Sequence, residues 1–401
     1  MLGRVRFVFV TIAVMLVPPA LAGPAAADGP GVGAPTVVTL GDSAISGEAG
    51  RWAGNTNDDS ARADALGPTA YWDTATGESI ANCHRSKAAQ AFIGDGVLGY
   101  NLACSGATTS THGTASGEDF KPGIDFYSDA QGRVGQARAL QSLAATRNVK
   151  AVVVMIGANN YGFADIVQRC VTDWATSPTW WKDYCSDDSD MTSRFTSTRI
   201  ATETANVRGA LQRVRDAMVN AGYAASQYTI LAQTYWSPLP RGAQIRYPES
   251  GWTRQTVGGC GVWNRDADWA NDVVVNALNS TTRNAAATSG LANVKVLDLQ
   301  TALNGRRLCE NTVGLLEEKG VAAWTSPGAV DKTEWVQQIR TASTVFGPYQ
   351  LQEDSHASYW GQLAMRNCLR QAYNGGAVRG GTCVRSANGL TSRGEPQMAL
   401  Q

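Results

Sequence analysis

The chain has little charge, almost no histidine and no long apolar run in its interior. Of 401 residues only 17% are charged, which excludes a disordered chain. Its 34 basic and 34 acidic residues balance, whereas a protein gripping nucleic acid through a basic face carries an excess of Lys and Arg. Past residue 17 no apolar stretch approaches the about 20 residues that cross a bilayer. Three histidines, His84, His112 and His356, are too scattered for a metal centre, and HExxH, P-loop and GxSxG patterns are all missing. No two cysteines are three apart, so there is no CxxC. Neither a metal nor an organic cofactor is expected.

What is present begins with an export plan. Arg4 and Arg6 precede an apolar run over 7–17, and small residues follow to Ala27. This is the layout of a secretory signal over 1–27, with cleavage fitting after Ala22 or Ala27. Loss of two arginines and no acid leaves the mature chain slightly negative. Eight cysteines in an exported protein read as a disulfide framework, here four bridges and no free thiol. The length, with 43% apolar residues, is ample for a real core.

Short β-branched runs alternate with helical periodicity. Strands are expected over 36–40 (TVVTL), 150–156 (KAVVVMI), 228–233 (YTILAQ) and 293–299 (NVKVLDL), with a weaker one over 99–103. Helices are expected over 136–146, 207–222, 266–287 and 360–373; in 207–222 the apolar residues follow an i, i+3, i+4, i+7 stripe. Strand–helix repetition implies an α/β three-layer sandwich around a five-stranded, mainly parallel sheet, as one domain over 36–385. A flexible lead-in is expected over 28–35, loop insertions over 110–130 and 161–200, and a frayed tail over 386–401. In such sheets the site lies beyond the carboxyl ends of the strands.

The pattern Gly94-x-Gly96-x-x-Gly99 resembles a dinucleotide loop but precedes a strand, whereas phosphate binding needs the glycines to follow one and open a helix. The stronger signal is Gly41-Asp42-Ser43, directly beyond the first strand, where an exposed nucleophile belongs. Asn101–Thr108 (NLACSGAT) follows the second strand and Gly157-Ala158-Asn159-Asn160 the third. Glu353-Asp354-Ser355-His356 then leads to Trp360-Gly361-Gln362, opening the last helix. Ser, Gly, Asn and His thus occupy four separate loops.

At these residues the chain resembles the SGNH (GDSL-type) hydrolases, in particular secreted actinobacterial members. The four blocks occur in order from 41 to 362, and the strings 45–55 (ISGEAGRWAGN), 83–86 and 362–373 add to the likeness. There are departures: Ala44 follows the serine, Asn160 stands where Asp is usual, proline is absent after His356, and Glu353 holds the place of the usual aspartate.

The resemblance implies a flavodoxin-like strand order 2-1-3-4-5 and a carboxylic ester hydrolase, secreted and monomeric, acting on a small-molecule, lipid or acetylated-glycan ester. It implies Ser43 as nucleophile and His356 as base, with backbone N–H of Ser43 and Gly106 and the Asn159 amide forming an oxyanion hole. The acid behind His356 stays open between Glu353, which is favoured, Asp354 and a backbone carbonyl. Asp42 and Asn160 are expected as supporting acceptors and donors. His84 is expected to be a structural hydrogen-bonder near a disulfide, and His112 a solvated or rim residue. Twelve tryptophans, Trp180 and Trp181 among them, could line a cleft or simply pack. Cysteine pairing in sequence order is expected: Cys83–Cys104, Cys170–Cys185, Cys260–Cys309 and Cys368–Cys383. Short loops close readily, and the resemblance implies the same plan for three of the pairs. The alternative of another class is a non-catalytic glycan- or surface-binding protein on a hydrolase scaffold. A third, an exported metalloenzyme, lacks ligand spacing.

Overall fold

Valine-rich segments, buried on both faces, build the centre of the molecule. The computed structural model describes residues 28–115, 119–340 and 347–401; the expected signal segment 1–27 lies outside them. The sheet contains β1 (Pro35–Gly41), β2 (Leu98–Asn101), β3 (Asn148–Met155), β4 (Thr229–Gln233), β5 (Val294–Asp298), β6 (Gly381–Leu390) and β7 (Pro396–Leu400), in the order β2-β1-β3-β4-β5-β6-β7. All neighbours are parallel except the antiparallel β6–β7 pair.

Because strand side chains alternate, β1 and β3 feed two cores. Val37, Ala151, Val153 and Met155 enter one with the helices Phe163–Thr176 and Tyr359–Tyr373. Val38, Leu40, Val152 and Val154 enter the other, with Gln136–Ala144 and Ser197–Asn220. The helix expected over 266–287 runs through Asn264–Trp269, a π-helical Ala270–Val275 and Asn276–Ala287.

Several expectations need correction. The sheet has seven strands rather than five, because the tail expected to fray from 386 is a hairpin. Its strand β6 is polar and buries only Cys383, so propensity alone does not reveal it. Tertiary contacts hold it: the Cys368–Cys383 bridge, an Arg370–Glu395 ion pair, and Asn367 Nδ2 donating to Pro396 O at 2.9 Å. The lead-in is folded as well. Gly29 and Val32 exchange backbone hydrogen bonds of 3.1 and 3.0 Å, and Asn148 Nδ2 donates to Gly33 O at 2.8 Å. The 161–200 insertion is largely helical, since Phe163, Ile166, Val167, Cys170 and Trp174 form an apolar stripe.

The eight cysteines form Cys83–Cys104, Cys170–Cys185, Cys260–Cys309 and Cys368–Cys383. Among the described residues no helix is long and apolar enough to cross a membrane.

Candidate active site

Chain direction reverses around β1: the path goes outward to β2, then returns to β3 on the other side. The loops leaving β1 and β3 therefore diverge and open a crevice at their carboxyl ends, the usual place for a ligand in such a sheet. Gly41 closes β1 at φ 145°, and a Cβ there would lie 1.9 Å from Met155 O. Only glycine fits. The Gln136 amide clamps this turn, accepting from Gly41 N at 2.7 Å and donating to Gly41 O at 2.8 Å.

Asp42 then caps the short helix Ser43–Ser46, its Oδ1 accepting from Ala44 N–H at 3.1 Å. Its other oxygen accepts from the Tyr235 hydroxyl. Burial lifts the Asp42 carboxyl to about 7 in spite of these donors. Ser43 is the first helical residue, so its N–H has no acceptor within the helix.

The loop 354–356 brings His356 across the crevice, with Ser355 in the left-handed region at φ 63°. His356 Nε2 lies 2.7 Å from Ser43 Oγ, and Nδ1 lies 2.9 Å from the carbonyl oxygen of Asp354. A carbonyl can only accept, so Nδ1 carries the hydrogen and Nε2 keeps its lone pair for the serine proton. The His356 backbone is fixed by its carbonyl accepting from Gln337 N–H at 2.9 Å.

This geometry corrects the expectation for Glu353. Its carboxylate points away from the imidazole and accepts from Trp52 Nε1 at 2.8 Å, Gln350 N–H at 2.9 Å and the Tyr71 hydroxyl. Burial raises its pKa. The Asp354 carboxyl also misses the ring, accepting instead from Arg340 N–H at 3.1 Å. Burial pushes it up to about 8. Of the three candidates left open for Nδ1, the backbone carbonyl is the one in contact.

Asn159 opens the turn after β3, and its Nδ2 donates to Ala107 O at 2.9 Å, leaving the second amide hydrogen free to turn toward the crevice. That bond ties Asn159 to the loop carrying Gly106. The Gly106 N–H meets no acceptor among the described residues. Asn160 supports the same junction: Oδ1 accepts from Thr109 N–H at 3.1 Å, and Nδ2 donates to Thr109 Oγ1 and Glu203 Oε2, each at 2.9 Å.

Sequence reasoning missed Glu48. It is fully buried, accepting from His84 Nδ1 at 2.8 Å and from Ser105 Oγ, the residue before Gly106. Burial raises its carboxyl, but the charges of His356 and His84 and the bonds from His84 and Ser105 prevail and hold it below its ordinary value. Its signal was an acid inside the glycine-rich string 45–55. His84 is structural in placement, as expected. His112 is exposed, in an isolated antiparallel bridge with Lys121. Trp180 and Trp181 do not line the crevice; they pack on each other at the surface, 81% and 74% exposed. Among the described residues no group of His, Cys, Asp or Glu could hold a metal ion.

A serine hydroxyl bonded to an imidazole lone pair, beside unpaired N–H donors, is equipped for acyl transfer. No protein-family model and no curated protein matches the chain. Solved structures similar to it include an extracellular lipase from Streptomyces rimosus, at 19% identity and TM-score 0.40, covering 82% of this chain and 95% of that one. A phospholipase A1 from Streptomyces albidoflavus NA297 is similar at 16% identity and TM-score 0.41, with the same coverages of 82% and 95%. Est24, a carbohydrate acetylesterase from Sinorhizobium meliloti, is similar at 12% and TM-score 0.27, over 70% of this chain and 91% of that one. The chain's own strand order through β2-β1-β3-β4-β5 is the one that its sequence resemblance to the SGNH hydrolases implies.

Proposed function

We propose that the protein is a secreted serine hydrolase that cleaves carboxylic esters through an acyl-enzyme on Ser43. The reading rests above all on one observation, the 2.7 Å contact of Ser43 Oγ with His356 Nε2 while Nδ1 is tied to a carbonyl. In the proposed cycle Ser43 Oγ attacks the ester carbon as its proton passes to Nε2. Backbone N–H groups of Ser43 and Gly106 and the Asn159 amide stabilise the resulting oxyanion. The imidazolium returns the proton to the departing alcohol, and water repeats the steps to free the acid. The carbonyl of Asp354 sets the tautomer in place of a third catalytic carboxylate. Four disulfides and the N-terminal signal layout support an extracellular location.

Hydrolysis of p-nitrophenyl acetate and butyrate by the wild type and by Ser43→Ala tests this. The reading requires turnover that Ser43→Ala abolishes. Equal rates for the two proteins would overturn it.

A further inference from the structure

Resting on that ester-hydrolase reading, we infer that Glu48 is a positioning residue: through Ser105 it fixes the peptide whose N–H, that of Gly106, serves the oxyanion. The group that has to be held is the Ser105–Gly106 peptide, and neither of its ends is anchored. Among the described residues its N–H meets no acceptor. Its carbonyl oxygen faces the Cys104 sulfur at 3.5 Å, which as half of a disulfide has no hydrogen to give. Gly106 adds no restraint of its own, since at φ 79° it stands in the left-handed region and has no Cβ to hinder rotation. A half-turn of this peptide would put a carbonyl oxygen where a donor belongs, and an oxyanion needs donors that are already aimed. The restraint has to come from Ser105.

Ser105 is tied at two points. Its N–H donates to Cys83 O at 3.1 Å, beside the Cys83–Cys104 bridge. Its hydroxyl donates to Glu48 Oε2, while Glu48 Oε1 accepts from His84 Nδ1 at 2.8 Å. Glu48 and Ser105 are both buried, so water does not compete, and a charged acceptor in a dry site makes a strong, directional bond. Burial opposes the ionised carboxyl, but the charges of His356 and His84 and these two bonds hold Glu48 below its ordinary value. Both oxygens therefore accept, and the Ser105 hydroxyl can only donate. Glu48 also lies directly after Gly47, which caps the Ser43–Ser46 helix. One side chain thus joins the turn carrying the Ser43 N–H to the loop carrying the Gly106 N–H, and sets the spacing between the two donors. Ser46 Oγ repeats the link by donating to His84 O at 3.2 Å.

The test is p-nitrophenyl acetate kinetics of wild type, Ser105→Ala, Ser105→Thr and Glu48→Gln, with kcat expressed per active site titrated by a fluorophosphonate. It is paired with inhibition by an alkyl trifluoromethyl ketone, whose serine adduct places an oxyanion among the donors. Ser105→Ala should lower kcat per site about tenfold to thirtyfold, a part of the about 10²–10³-fold loss for a donor removed outright. Its KM should stay within about twofold, because the donors act on the transition state. The inhibition constant of the ketone should rise by the factor that kcat falls. Ser105→Thr keeps the hydroxyl and should recover kcat to within about threefold. Glu48→Gln keeps the shape without the charge and should fall between these two; it carries the test should Ser105→Ala fail to fold. A merely structural Glu48 would lower the urea midpoint and the number of titrated sites, and leave kcat per site and ketone inhibition as in wild type. That result would overturn the inference, as would a loss confined to KM, and either leaves the esterase reading standing. No ester turnover by the wild type would overturn the reading beneath it.

Discussion

Two histidines near the Gly106 loop have opposite partners. His84, 1% exposed, gives its Nδ1 hydrogen to the buried Glu48 carboxylate at 2.8 Å, and its ring packs on Tyr71 at 4.8 Å. His356 gives its own Nδ1 hydrogen to a carbonyl and offers Nε2 to Ser43. A carboxylate in direct contact favours the imidazolium, and despite burial the His84 pKa is raised, with Glu48 and Glu78 as the charges responsible. A neutral carbonyl orients a ring without fixing its charge. The first arrangement suits a buried strut, and the second suits a group that must gain and lose a proton in each cycle.

The largest expected effect divides these roles. His356→Ala should lower kcat at least about 10⁴-fold, as losses of triad histidines do, with Ser43→Ala equal to it. His84→Gln should lower kcat of the folded protein far less. Steady-state kinetics on a soluble ester decides it, and similar losses for both histidines would erase the distinction. Next in size is Asn159→Ala, expected to reduce kcat about 10²–10³-fold as for loss of one oxyanion donor.

The strut should show itself in stability. Removing His84 leaves Glu48 buried without its ionic partner, at a cost of about 3–5 kcal/mol, measurable as a drop in urea midpoint. The pH window follows from the two shifts. The raised His84 pKa contributes stability that is complete below about 6.5 and lost as pH rises through the folded value. The lowered Glu48 pKa contributes above its ordinary value of 4.5 and is lost as pH falls through the folded one. Between these limits wild type should exceed His84→Gln by the most; a pH-independent difference would contradict the ion pair.

The smallest effects on turnover belong to the acids next to His356. Glu353→Gln and Asp354→Asn should each keep kcat within about tenfold, against the about 10⁴-fold loss seen when a true triad carboxylate is neutralised. Glu353→Gln should still destabilise by about 1–3 kcal/mol, because the new NH₂ faces the donors of Trp52, Tyr71 and Gln350. Asp354 binds a proton more tightly in the folded state, at about 8, so wild-type stability should fall between about pH 4 and 8. Asp354→Asn should flatten that decline; an unchanged slope in thermal melts would contradict the raised value.

Much of this site is written locally. The roles expected of Gly41-Asp42-Ser43 and Asn159 came from the family resemblance, while their loops, directly following strands, were legible from the strand ends. The partner of His356 was not. Glu353 precedes it by three residues, yet the left-handed Ser355 turns the loop so that a carbonyl, not that side chain, meets Nδ1. Strand β6 escaped for the reason that distant contacts hold it, and Glu48 because its partners, His84 and Ser105, lie 36 and 57 residues away. In the Phe163–Thr176 helix the apolar stripe was present but was obscured by the surrounding Asp and Trp residues.

The central claim is that His356 activates Ser43, and covalent trapping tests it most directly. Treating the protein with an alkyl fluorophosphonate and measuring its intact mass and peptide map should give one adduct per chain, on the peptide bearing Ser43. The adduct should vanish in Ser43→Ala and form far more slowly in His356→Ala. An unlabelled wild type, or a label on any other residue, would contradict the account.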